Sequence, residues 1–285
     1  MSVTDELVFK LGDTGTELNT DVSLPFVDIL RVYGLDSAPI RETERDHEGV
    51  DGGFMDAEFE KGRPMMMDGE AFATAATLED YLDQLKYEWS PSTVAVPFYL
   101  RAPGQQDRVI FVKPRGLRYD WAGDRRRGVV RVQFVMYAED PRIYDAVEQD
   151  INIAYGGEAG IGFAFDFEFD LDFGGGAEPA GQYIDNAGNR PTPAILTIAG
   201  PIINPLIAND TNGGLLSFEI NLGASDVLVI DLAAKTVLLN GTTNRRATLV
   251  QPDWFLLDPG LNFIRFGGTD GTGSQLTVSY RNAWR

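Results

Sequence analysis

From residue 193 to the C-terminus the chain is a series of short apolar runs broken by turn residues, and this spacing limits the fold more than any other feature. The runs cover 194–199, 215–222, 227–231, 236–239, 254–257, 261–266 and 276–280. Between them stand Asn212-Gly213-Gly214, Asn240-Gly241 and Asp258-Pro259-Gly260. Asn-Gly accepts the left-handed dihedrals of a tight hairpin turn, and Pro-Gly fixes one dihedral while allowing a positive one. Seven strands at this spacing, with no helical period among them, predict an antiparallel β-sandwich.

The first half reads differently. A strand is expected over 24–32, followed by loop with strand ends over 36–61, with nine acids against three bases. Residues 77–89 form the one convincing helix. Thr77 and Asp80 have capping-box spacing, Leu78, Tyr81, Leu82, Leu85 and Trp89 share one face, and Ser90-Pro91 stops it. Strands follow over 94–100 and 109–113. A hairpin of 117–121 with 129–137 has 122–128 as its tip. The fold expected is all-β: an N-terminal β-sandwich with one α-helix over 1–150, then a second antiparallel β-sandwich over 151–285. The boundary is placed where the basic residues stop, since no Lys or Arg lies between Arg142 and Arg190.

Inside that stretch Phe163, Phe165, Phe167, Phe169, Leu171 and Phe173 alternate with Ala164, Asp166, Glu168, Asp170 and Asp172. A period of two puts all the large side chains on one face of a strand, which must lie on a core or an interface. The acids on the other face do not suit calcium. Alternate residues sit about 7 Å apart, too far for one ion to reach all four.

The formal net charge of -19 argues against a nucleic-acid-binding surface and against an anionic membrane as partner. It suits solubility, or a channel wall to which DNA must not stick. The absence of cysteine excludes disulfides, thiolate nucleophiles and zinc sites built on Cys. The first ten residues lack the pattern of a signal peptide, and no apolar stretch approaches the roughly 18 residues of a membrane helix. The single histidine, His47, sits between Asp46 and Glu48 in the acidic loop and reads as a surface residue. A catalytic base needs rigid orientation by a third group. Gly174-Gly175-Gly176 has neither the lysine nor the following helix of a phosphate loop. No nucleophile, metal or cofactor motif supports an enzyme, and no cofactor is expected. Arg125, Arg126 and Arg127 at the hairpin tip leave two readings open, a solvated turn or a contact with an acidic neighbouring subunit.

The C-terminal residues resemble a known family. Gly200-Pro201, Asn204-Pro205, Thr211-Asn212-Gly213, Asp231 and Leu239-Asn240-Gly241 lead to its most specific piece. That piece is Phe255, Leu257, Pro259, Gly260 and Asn262, followed after a strand by Tyr280, Arg281, Ala283 and Trp284. Together they resemble the siphophage distal tail proteins. Upstream, Asp140-Pro141-Arg142-Ile143-Tyr144 is similar to the motif that closes the N-terminal domain in minor tail proteins of actinobacterial phages. The likeness covers most of 110–285, and the first 75 residues match only loosely. It implies a tail-tube-like N-terminal domain whose six copies close a ring, and a galectin-like C-terminal sandwich facing outward. The implied place is the tip of the virion tail, after synthesis in the host cytoplasm. The implied partners are the tail tube protein, the baseplate hub, other minor tail or receptor-binding proteins, and a tape measure protein and DNA in transit through the channel. Arg125, Arg126, Arg127, Phe163, Phe165, Phe167 and Phe169 are the candidate interface residues. The alternative is a carbohydrate-binding module for attachment to the host cell wall.

Overall fold

A computed structural model describes residues 7–20, 23–36, 38–41, 44–46, 53–55, 59–121, 125–156 and 181–285. The chain divides into two compact units, Met1–Ala146 with Arg285, and Val147–Trp284.

In the first unit the main strands are β1 (Val8–Leu11), β2 (Glu17–Leu18), β3 (Phe26–Tyr33), β4 (Arg63–Phe72), β5 (Val96–Arg101), β6 (Arg108–Tyr119) and β7 (Val129–Ala138), with α1 at Leu78–Glu88. Their order in the sheet is β2-β1-β5-β6-β7-β4-β3, and neighbouring strands run antiparallel. The pattern of two is plain in β4 and β7. Met65, Met67 and Ala71 point inward from one, and Val130, Val132, Phe134 and Met136 from the other. The stretches 109–113 and 117–121, expected as separate strands, are largely one strand. Pro114 and Gly116 make a bulge in it rather than an end, with Gly116 at φ 132°. The first part of β6, through Val112, pairs with β5, and from Lys113 onward it pairs with β7, so one strand joins the two halves of the sheet. The two edge strands meet at Asn19, whose backbone N–H donates to Val27 O and whose Oδ1 accepts from Ile29 N.

Helix α1 buries Leu78, Tyr81, Leu82 and Leu85, as the sequence periodicity predicts. The expected capping box does not form. Thr77 makes no side-chain cap, because its hydroxyl is paired with that of Thr74 at 2.7 Å and the Leu78 N–H donates to Thr74 O. At the other end Trp89 is buried against Phe134 and Phe98, with ring centres 4.6 and 6.2 Å away. Glu88 accepts from both the N–H and the hydroxyl of Thr16, tying the helix end to the β1–β2 loop.

The second unit has strands β8 (Gln149–Ala154), β9 (Gly181–Asn186), β10 (Ala194–Ala199), β11 (Ile202–Asn209), β12 (Gly214–Phe218), β13 (Val227–Asp231), β14 (Thr236–Leu239), β15 (Leu249–Pro252), β16 (Gly260–Thr269) and β17 (Gln275–Tyr280). One sheet runs β8-β17-β10-β13-β14 and ends in the short strand Thr243–Asn244. The other runs β9-β16-β11-β12-β15. Inward residues of both sheets build one core, with Leu196, Ile198, Leu228, Ile230, Leu276 and Val278 from the first and Ile184, Ile207, Leu216, Phe218, Ile264 and Phe266 from the second. Asn240 and Gly241 have φ of 51° and 73°, and the Thr242 N–H closes the turn onto Leu239 O, as the Asn-Gly pair predicts.

Two strand expectations need correction here. Residues 254–257 are not a strand. Phe255 and Leu257 reach the core, yet the only ladder contact is an isolated bridge between Leu257 and Thr192. Residues 215–222 are interrupted at Glu219 and Ile220, leaving β12 and the short strand Asn221–Leu222.

Candidate scaffold and interface residues

Buried polar side chains in and around the C-terminal signature hold backbone in place. The loop before β16 has no sheet partner for most of its polar backbone, so side chains must supply the bonds. Asn262 is fully buried. Its Oδ1 accepts from Asp258 N at 2.9 Å, and its Nδ2 donates to Asp258 O and Gly260 O at 2.8 and 2.9 Å. Gly260 at φ 87° turns the chain into the strand. Asn209, also fully buried, donates to Asn262 Oδ1 at 3.2 Å and accepts from Thr211 N. Asn186 donates to Leu257 O and Arg190 O and accepts from Gly188 N and Ala283 N. Thr192 Oγ1 donates to Arg281 O at 2.7 Å. Amides and a hydroxyl at these positions satisfy buried carbonyls and N–H groups, and none has a proton to transfer near neutral pH. Trp254 packs against the edge of the same core.

The Asp140-Pro141-Arg142-Ile143-Tyr144 motif is also a local lock. Asp140 accepts from the Arg142 N–H at 3.1 Å, from the Arg142 guanidinium at 3.2 Å on both oxygens, and from Tyr144 Oη at 2.5 Å. Burial is the largest influence on both partners. It raises the Tyr144 pKa, and the Asp140 carboxylate pushes it the same way. For Arg142 burial works toward a lower pKa, but Asp140 and Tyr144 together outweigh it and the group stays raised.

The three arginines do not form one exposed cluster. Arg125–Arg127 is a short 3-10 turn after β6, and Arg125 folds back onto its own unit. Its guanidinium lies 4.5 Å from the ring centre of Trp121 and 5.6 Å from that of Tyr119, and it is paired with Glu79 on α1. Lys86 covers the same Tyr119 ring at 4.8 Å. Arg126 and Arg127 are exposed, and so is Trp121, at 73%. The sequence reading singled out the arginines but missed Tyr119, Trp121, Glu79 and Lys86, which only the fold brings to Arg125. Trp, Tyr and Arg together are the composition of interface hot spots. Phe163, Phe165, Phe167 and Phe169, the acids between them, Gly174–Gly176 and His47 lie outside the described residues. Among the described residues no three His, Asp or Glu side chains group as a metal site requires.

Comparison with known proteins places this geometry. Residues 187–284 match the family model described as "Siphovirus-type tail component, C-terminal domain". No curated protein matches the sequence. Among solved structures, the Dit protein of phage SPP1 has a TM-score of 0.65 at 14% identity, covering 98% of this chain and 100% of that one. It is described as a paradigm of the hub adsorption apparatus in phages that infect Gram-positive bacteria. A chain of the phage P2 baseplate, in its activated conformation with Ca, has a TM-score of 0.52 at 10% identity, over 96% of this chain and 98% of that one. The Asn and Pro-Gly signature thus lies within the region that matches the C-terminal domain model of the siphovirus-type tail components, and the fold resembles, over nearly the whole chain, that of a siphophage distal tail protein.

Proposed function

We propose that this protein is the distal tail protein of a long-tailed phage, and that six copies close a ring at the end of the tail tube. The ring joins tube to baseplate hub and leaves a bore through which the tape measure protein and then the genome pass. The observation that supports it most is the coincidence in one chain of the family's C-terminal domain and a whole-length distal tail fold. The role is mechanical: a head-to-tail contact repeated by a six-fold rotation closes without free ends. In this reading the part up to about residue 150 forms the ring and the rest is a galectin-like sandwich turned outward. Arg126, Arg127 and the Trp121–Arg125 stack meet an acidic surface of the neighbour, in keeping with a net charge of -19 per chain. The Phe163, Phe165, Phe167 and Phe169 run belongs to this reading from sequence alone, and a charged residue at Phe167 is expected to give monomers or misfolded chains. An acidic bore would let DNA slide without sticking.

Negative-stain microscopy of the concentrated protein, with particle masses from the same sample, tests the proposal. Six chains of 31.3 kDa give a ring of about 188 kDa. Six-fold rings with a central hole are expected. Closed rings of another order, or compact particles without a hole, would overturn it.

A further inference from the structure

The outer face of the β9–β16 pair carries side chains that its own fold does not need. Tyr183 stands directly opposite Phe263 in the ladder, and both point away from the core, since Ile184, Asn262 and Ile264 beside them are buried. Their ring centres are 4.8 Å apart with planes at 49°. Phe263 has a structural task. Its ring lies over Gly181, where an added Cβ would come within 2.3 Å of Cζ. Tyr183 has no such task. It is 63% exposed, and Leu261 beside it is 61% exposed. A cross-strand aromatic pair adds little to the stability of a sheet, which does not call for an exposed tyrosine here.

Arg265 lies two residues beyond Phe263 on the same face, a step of about 7 Å. It grips Asp210 with two prongs, Nε on one carboxylate oxygen and a terminal nitrogen on the other at 2.7 Å. Asp210 is held to the same strand, because its N–H donates to Phe263 O and the next residue's Thr211 Oγ1 accepts from Phe263 N. The two side chains are 34% and 35% exposed, so the pair stays open to solvent. Three of the five guanidinium N–H groups and half of the carboxylate lone pairs remain for a ligand. The pair carries no net charge, which favours neutral hydroxyls over an anion. Adjacent hydroxyls offer the alternating donors and acceptors it matches. The apolar C–H face of a sugar ring matches an exposed aromatic face.

We infer that this face is a saccharide site, with a neutral sugar ring stacked on Tyr183 and neighbouring hydroxyls bonded to Arg265 and Asp210. The site needs no ring closure and stands apart from the tail reading. Titration calorimetry of the full chain against neutral glucose-, galactose- and N-acetylglucosamine-based oligosaccharides, with oligogalacturonate as the acidic counterpart, tests it. One neutral series is expected to bind weakly. Tyr183→Ala should weaken it about tenfold, Tyr183→Phe should keep it, and Arg265→Lys, which loses the fork, should weaken it about fivefold. Unchanged melting temperatures would show that the variants are folded. Absence of binding to every neutral oligosaccharide, binding of the acidic one alone, or affinity untouched by both Tyr183→Ala and Arg265→Lys would each overturn the inference.

Discussion

The two units differ in how fully they satisfy buried polar groups. In the second, Asn186, Thr192, Asn209, Asn262, Ser274 and Asn282 are buried, and each is bonded to backbone. In the first, Asn19 is bonded to backbone and one terminal nitrogen of Arg63 donates to Gly34 O and Leu35 O, but Arg63 Nε, Tyr81 Oη and two guanidinium nitrogens of Arg125 are buried without a hydrogen-bond partner among the described residues. The second unit is specified by polar letters at fixed places, because only an amide of the right reach satisfies a given carbonyl and N–H. The first is specified by apolar packing around α1, where many side chains of similar volume serve equally. The family match falls accordingly, within 187–284.

Removing a packing anchor from the first unit should cost most. Trp89 fills the space between Phe98 and Phe134, and Trp89→Ala is expected to lose about 3–5 kcal/mol in urea unfolding, with loss of helical signal. Asn262→Ala should cost somewhat less, about 2–4 kcal/mol, by stranding the Asp258 N–H and two carbonyls. A cost below about 1 kcal/mol would mean that water replaces the amide and that the loop does not depend on it. If Trp89→Ala unfolds the first unit while the C-terminal sandwich keeps its own transition, the contrast between the units sharpens. A single merged transition would weaken it.

How much of this was legible followed the same divide. The C-terminal hairpins could be read because Asn240-Gly241 and Pro259-Gly260 announce their own dihedrals. Strand β11 could not, since Asn204 at φ 49° and Pro205 break its pattern and its last five residues are all buried, removing the alternation. The stretch at 254–257 looked like a strand because apolar residues enter the core there, but beyond the one bridge to Thr192 the Leu256 and Leu257 carbonyls accept from side chains of distant residues. In the first unit, Pro114 and Gly116 read as an end although a bulge absorbs them, and the Thr77 hydroxyl was lost to Thr74. The arginine triplet was visible. The folding of Arg125 onto Glu79 was not, because that contact spans 46 positions along the chain.

Tyr81 offers the finest test of the contrast. Its hydroxyl is buried and without a partner among the described residues, and burial, followed by the carboxylate of Glu88, pushes its pKa up to about 12. In the unfolded chain the group titrates near 10, so the folded state holds the proton more tightly. Stability from this source is complete below about pH 10 and is lost as pH rises toward about 12, a fall of roughly 2–3 kcal/mol. Burial raises Tyr280 as well, so the fall has more than one contributor. Tyr81→Phe removes both the titration and the unpaired hydroxyl. At neutral pH it should stabilise the protein by about 1 kcal/mol, and at alkaline pH it should lose less than the parent. Unfolding curves of the two proteins at neutral and alkaline pH decide the matter. Destabilisation by Tyr81→Phe at neutral pH would mean that the hydroxyl has a partner after all, and would narrow the contrast between the units to Arg63 and Arg125.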